Sequence, residues 1–394
     1  MGVLVDRIEG SGKMPGGFIS RRKAIALGLA AVLAACAKTP PPIATPTPTP
    51  TPTSSTLPDD SDRHRIALLV PLSGDNAAVG QALANATTMA LLDTNAENLR
   101  ITTYDTATGA ANAAARAIAD GNKLILGPLL GGDVPAVVSQ SRPARVPLIS
   151  FSNDSSVAND DVFVMGISPD QSITRTVNYA SSLGSKRFAI LVPNGAYGER
   201  AEYAFNYAVS GNGGSVVARE SFDRSNASIV AAAQKLRQRG GFDTLLVAEA
   251  PRLAIQAAGA VRPANATAPL LLGTELWSAE ASVASAAALR GALFATVSDG
   301  YFATFSGRYQ ERFGEAPPRI ATLGYDAVLL TLRIARDWRP GQNFPTARLR
   351  DPDGFGGADG TFRFRADGVV ERAMEVRRVG PGGIEIADPA PAKF

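Results

Sequence analysis

Nucleophilic, metal and general acid–base chemistry leans on cysteine and histidine, and this chain of 394 residues holds one of each, Cys36 and His64. A Ser-His-Asp triad, a histidine metal site or histidine acid–base catalysis would all have to be built on His64. That residue lies at the seam between a Pro-rich stretch and the first apolar run. Cys36 closes an apolar segment near the start, and nothing after it offers a thiol as ligand or nucleophile. No G-x-G-x-x-G follows a strand pattern, and Gly10-Ser11-Gly12-Lys13 lacks the spacing of a phosphate loop. Asp and Glu number 36, but no pair is set apart by its spacing in the way of glycosidase carboxylates. Lys123, Lys186 and Lys235 fall at element edges, where solvation is the ordinary role. The expectation is a protein without catalysis, metal or cofactor, one that works by binding or contact.

Cys36 does stand where one modification would need it. Arg21, Arg22 and Lys23 precede twelve small or apolar residues, Ala24 to Ala35. A basic flank with so short a run makes a signal peptide and not a spanning helix. The run closes Leu33-Ala34-Ala35-Cys36, which resembles the bacterial lipobox. By that resemblance residues 1–35 are removed and Cys36 is acylated, anchoring the chain to a membrane. The plainer alternative is a secretory signal peptide with an incidental cysteine. Acyl chains contribute about 0.8 kcal/mol per buried CH₂, so three would hold lastingly. Ala37 stands where an aspartate commonly retains bacterial lipoproteins at the inner membrane. The resemblance therefore implies the outer membrane, facing the periplasm. Residues 1–35 carry five of the 39 basic residues and two of the 36 acidic ones, leaving 34 of each. A formally neutral remainder predicts no nucleic-acid partner. Residues 36–63 follow as a Pro/Thr-rich tether with little to bury. At about 3.1 Å per residue in polyproline II it would reach ~80 Å.

Residues 64–394 alternate between short apolar runs and amphipathic segments. Strands are expected at Ile66–Val70, Leu99–Tyr104, Lys123–Gly127, Val146–Phe151 and Val162–Gly166, with helical spacing between them. The alternation resumes at Arg187–Val192, Ser215–Phe222, Asp243–Ala248 and Pro269–Gly273. Uncharged strands separated by amphipathic helices indicate parallel sheets covered on both faces. The fold class is α/β, with two Rossmann-like layers. After Ala292 come one more strand, two helices near Tyr301–Phe313 and Ile320–Arg336, and a hairpin in "GTFRFRADGVVERAMEVRRV". Tyr301, Phe302, Phe305, Tyr309 and Phe313 recur at helical spacing, as a core stripe or, if exposed, a contact patch.

The motifs follow one another as in a known family. "IALLVPLSGDNAAVGQALANA", "LILGPLLGGDVPAV", "VPLISFSND", "LVPNGAYGE" and "GTFRFRADG" together resemble the type I periplasmic-binding fold of leucine-binding proteins. "GPLLGG" with the lipobox and tether resembles its penicillin-binding protein activator branch. The resemblance implies two lobes around a central cleft, lobe 1 being about 64–167 and 292–340 and lobe 2 about 168–291 and 341–394. It implies an enzyme regulator whose partner is a bifunctional peptidoglycan synthase. The helical-repeat domain of that branch's best-known members has only the tether in its place here. The alternative is a solute-binding lipoprotein for an amino-acid-like ligand in uptake or sensing.

Cleft residues implied by the resemblance are Ser73 on the first loop, Gly131 and Gly132 on the second, and Ser150, Ser152 and Asn153 on the third. The other lobe would supply Tyr197, Glu249 and Glu275 at strand ends, with Tyr325 beside the hinge. Each has a structural use as well. The serines and Asn153 can cap a turn, the tyrosines can pack half-buried, and the glutamates can cap helices. The second loop offers Leu129 and Leu130 where a hydroxyl would help an amino-acid binder.

Overall fold

The strands read as unbroken apolar runs because both of their faces are covered. In the computed structural model, which describes residues 62–262, 268–278 and 281–391, strand β1 (His64–Val70) divides its side chains by parity. Ile66, Leu68 and Val70 enter one core, while Ala67 and Leu69 enter another. The expected signal segment 1–35, Cys36 and all but the end of the tether lie outside the described residues.

From β1 the chain runs through α1 (Ala77–Asp93), β2 (Leu99–Asp105), α2 (Ala110–Ala119), β3 (Leu124–Leu126), α3 (Val134–Ser141), β4 (Leu148–Ser150) and β5 (Val162–Val164). The five strands form a parallel sheet in the order β2-β1-β3-β4-β5. A second unit follows with α4 (Pro169–Ser182), β6 (Arg187–Pro193), α5 (Ala196–Gly211), β7 (Ser215–Phe222) and α6 (Asn226–Arg239). It continues through β8 (Thr244–Val247), α7 (Pro251–Val261), β9 (Leu270–Leu272), the short α8 (Ala281–Ser285) and β10 (Leu293–Thr296). In β6 the same parity holds, with Ala189 and Leu191 on one side and Phe188, Ile190 and Val192 on the other.

The chain then returns to the first sheet. Helices α9 (Asp299–Phe313) and α10 (Thr322–Ala335) cover its open face beside α1. Phe305 and Tyr309 of the aromatic stripe are buried there, and of its five members Tyr301 is the exposed one. Strands β11 (Phe355–Gly357), β12 (Gly360–Phe364) and β13 (Val370–Arg372) form a small antiparallel sheet on the same core. Last, β14 (Glu375–Gly380) and β15 (Gly383–Asp388) complete a seven-stranded sheet ordered β15-β14-β10-β9-β8-β6-β7, both added antiparallel.

Two expected lobe boundaries move. The strand after Ala292 belongs to the second lobe, because β10 pairs with β9 and β14. Residues 341–372 belong largely to the first, where Phe355, Phe362, Phe364 and Val370 are buried. The crossings therefore fall near 166–168, 297–299 and 373–375. The expected hairpin is split by the last of these. Its return strand ends at Arg372, and Glu375 begins a strand of the other sheet. Arg372 is pinned at the crossing by Asp326 of α10, 3.1 Å away, with both side chains buried. Burial pushes the Asp326 carboxyl up to about 6, against the pull of Arg372. Among the described residues no helix is long and apolar enough to cross a membrane, and no cluster of acidic, histidine or cysteine side chains could hold a metal.

Candidate functional site

In both sheets the strand order reverses at the first strand, β1 lying between β2 and β3 and β6 between β7 and β8. Loops at the carboxyl ends of such strands border a crevice. Here they enclose a cavity of about 500 Å³ between the lobes. Its first-lobe wall carries Val79, Leu129, Leu130, Phe151, Ile320 and Leu323, and the second lobe adds Leu276, Val297 and Met374. The cavity is predominantly apolar.

Parity decides what the third loop shows. Phe151 and Asn153 line the cavity, so Ser150 and Ser152 turn the other way and are buried. The Ser150 hydroxyl donates to the Pro128 carbonyl (3.0 Å) and accepts from the Ser152 amide (3.2 Å). Ser152 Oγ accepts from the Asp154 amide at 3.0 Å. These hydroxyls organise the loop. On the second loop Leu129 and Leu130 face the cavity. Gly131 starts the turn into α3 and packs against Ser152 and Asp154, where a Cβ would lie 2.9 Å from Ser152 Oγ. Gly132 follows it in that turn, exposed and outside the lining. Ser73 is exposed at the rim and donates to Asp105 Oδ2 (3.1 Å). Amides of Leu72 and Ala107 also bind Asp105, and with Ser73 they hold its carboxyl below the usual range.

The second lobe brings Tyr197 and Glu275 together. Tyr197 donates to Glu275 Oε1 at 3.0 Å and sits 3.0 Å from Thr274 Oγ1. Ser172, on α4, donates to Glu275 Oε2 at 2.8 Å and accepts from its amide at 3.0 Å. Burial raises the Glu275 carboxyl above its ordinary range, against the hydrogen bonds from Ser172 and Tyr197. Burial, then the neighbouring Glu275, pushes the Tyr197 phenol up as well. Glu275 lines the cavity. Glu249 lies outside it, its carboxylate held by Arg224 (3.1 Å) and the Ala250 amide (2.8 Å). Tyr325 departs from expectation. It lies on the α10 face turned to α1, where its hydroxyl donates to Asp93 at 3.1 Å, and it is absent from the cleft.

The most connected polar group in the cleft is Arg319, just ahead of α10. Its guanidinium donates to Asp359 Oδ1 (2.8 and 3.1 Å), Asp299 Oδ1 (2.6 Å), Ser278 Oγ (2.8 Å) and the carbonyls of Val297 (2.9 Å) and Ser298 (3.2 Å). Asp359 belongs to the small sheet's turn on the first lobe, while Ser278 and Val297 belong to the second, so this side chain joins them. Burial works to raise Asp299, but Arg377 and Arg319 beside it hold the carboxyl below its usual range. The sequence signal for Arg319 is slight. It is a lone cation between Pro317-Pro318 and an apolar helix, in a stretch where arginine is common.

Several known proteins share this arrangement. The family model for periplasmic binding proteins matches residues 64–383. The uncharacterized protein RP748 of Rickettsia prowazekii is 30% identical over 136 residues, 34% of this chain and 36% of that one. The penicillin-binding protein activator LpoA of Photobacterium profundum is 26% identical over 146 residues, 36% of this chain and 24% of LpoA. The chain thus spans about a third and a quarter of these curated relatives. A putative branched-chain amino acid ABC transporter protein from Rhodospirillum rubrum superposes with a TM-score of 0.72 at 20% identity, over 82% of this chain and 99% of that one. The LpoA C-domain from Haemophilus influenzae, a regulator of PBP1A, superposes with a TM-score of 0.65 at 18% identity, again over 82% and 99%. At such identities the likeness is one of fold.

Proposed function

The chain belongs to the periplasmic binding protein family, and from that premise we propose that it regulates cell-wall synthesis by contacting and activating a bifunctional peptidoglycan synthase. The observation that carries this reading is the character of the cleft. Leu129, Leu130 and Phe151 face it, while Ser150 and Ser152 spend their hydroxyls on backbone groups. Arg319 directs its donors to protein acceptors, and Glu275 is already bonded by Tyr197 and Ser172. Groups so engaged are not free to meet the charged ends of an amino acid, and an ionised group buried without a partner costs more than the roughly 2–7 kcal/mol of a neutral polar one. Likeness to an activator in sequence and to a PBP1A regulator in fold supports the reading. In it, Cys36 anchors the protein in the outer membrane on the periplasmic side, and residues 36–63 span the distance to the synthase.

A solute-binding role is the second reading, favoured by the open cavity of about 500 Å³ and by likeness to branched-chain amino acid transporter proteins. Two measurements separate them. Crosslinking in intact cells with a tagged full-length chain is expected to capture bifunctional synthases, with loss of capture when residues 37–63 are shortened. Titration calorimetry of the body with leucine, isoleucine and valine is expected to give no heat of binding. Capture of a transporter permease without synthases, together with micromolar amino-acid binding, would reverse the choice.

A further inference from the structure

Away from the cleft, the first lobe carries a second concavity between α10 and the outer edge of β11. Two cavities of about 500 and 740 Å³ share Leu329 and Gly356, so they form one trough. The half-buried Leu329 lies on its floor, and exposed Tyr301 stands at one end. Its wall is a strand with a free side, since β11 pairs with β12 alone among the described residues. Gly357 faces Gly360 across a two-residue turn, and Gly356 faces Thr361. In such a hairpin the pair closing the turn is hydrogen-bonded, which turns the amide and carbonyl of the next residue outward. Those groups belong to Gly356.

Gly356 is exposed, its φ lies outside the left-handed region, and a Cβ added there would meet nothing within 4 Å. The backbone does not demand glycine at this position. The missing side chain instead leaves the strand edge open to the trough, where edges are ordinarily blunted. At the other end Arg333 and Arg336 are exposed on α10, and neither is paired with a carboxylate among the described residues. Asp353 lines that end too, and Arg308 at the first end is held by Asp93 at 2.5 Å. Asp353 has no ion pair among the described residues and offsets one of the two arginines, so this end carries a net single positive charge.

We infer that this trough docks an extended, acidic segment of a partner protein, added as a strand along β11. Main-chain bonds at Gly356 supply affinity, alternate side chains settle on Leu329 and Tyr301, and Arg333 with Arg336 selects for carboxylates. The inference rests on the reading of the body as a regulator that works by contact, and it supplies the contacting face.

The test uses the intact chain and a labelled short peptide of alternating valine and glutamate, beside its valine–lysine counterpart. Fluorescence anisotropy is expected to show binding of the acidic peptide alone, weakening as salt is raised. Gly356→Val puts a side chain into the trough from a position where a Cβ meets nothing within 4 Å, and it should weaken binding by about tenfold or more while leaving the thermal melt in place. Arg333→Glu with Arg336→Glu should weaken it by about tenfold and flatten the salt dependence. Equal binding of the two peptides, or binding untouched by Gly356→Val, would overturn the docking site. Purified bifunctional synthase is titrated against the same variants. Capture by the intact chain and equally by Gly356→Val removes the trough and leaves the contact reading standing. Acidic peptide bound in the trough with no synthase captured keeps the docking site and removes the synthase.

Discussion

Glu275 shows how one side chain can be placed by sequence and reinterpreted by geometry. It follows a strand and faces the cleft, yet its carboxylate is already bonded by Ser172 and Tyr197. Its pKa is raised chiefly by burial, so the folded chain holds the proton more tightly than the unfolded chain does. The sign follows from linkage. This group's contribution to stability is fullest below the ordinary carboxylate value of about 4 and declines as pH rises through the raised folded value. Glu275→Gln removes the titration while keeping the shape. Its melting temperature relative to the parent is therefore expected to climb from pH ~4 towards neutrality. Parallel melting curves across that range would show that the carboxylate is solvated in the folded protein.

The elements were legible where both sheet faces are buried, because Ile66–Val70 and Arg187–Val192 can be little other than central strands. Their termini hold a feature that composition alone does not reveal. In each lobe a proline carbonyl stands at the exit of the first strand, Pro71 just past β1 and Pro193 at the end of β6, and the following helix meets that carbonyl with a glycine. A Cβ on Gly80 would lie 1.7 Å from the Pro71 oxygen, and one on Gly198 would lie 1.8 Å from the Pro193 oxygen. Neither oxygen can move without moving its strand. Gly80→Ala and Gly198→Ala are each expected to cost at least ~3 kcal/mol in urea denaturation. A cost below ~1 kcal/mol would mean that the helix start shifts freely. What the sequence left hidden is pairing between distant segments. "ALFATV" fits either sheet until Leu293 meets Leu272, and "ERAMEVRRV" reads as one strand although the chain changes lobe within it. Likewise the choice of Ser150 and Ser152 over Phe151 required knowing which parity faced the crevice.

At the scale of the whole molecule the lobes are joined by covalent crossings, by the ion pairs Arg200–Asp154 (3.6 Å) and Arg365–Asp170 (3.8 Å), and most densely by Arg319. The guanidinium fork meets Asp359 on the first lobe and Ser278 and the Val297 carbonyl on the second, with Asp299 shared at the crossing. Arg377 braces Asp299 from the other side. A regulator that presents a fixed surface benefits from such a clasp, whereas a binder that must open and close would be slowed by it. Arg319→Met removes the bonds to both lobes and leaves buried Asp359 without its cation, so a loss of about 3–5 kcal/mol is expected. Arg319→Lys keeps charge but not the planar fork, and its stability should fall between those of the parent and Arg319→Met. Lobe geometry can be read with spin labels at Leu92→Cys and Tyr203→Cys, both exposed sites, in a Cys36→Ser background. The distance distribution should broaden in Arg319→Met and narrow again in Arg319→Lys. An unchanged distribution would assign the lobe angle to the crossings and the ion pairs Arg200–Asp154 and Arg365–Asp170, and the clasp would then be a contributor to stability without a part in setting shape.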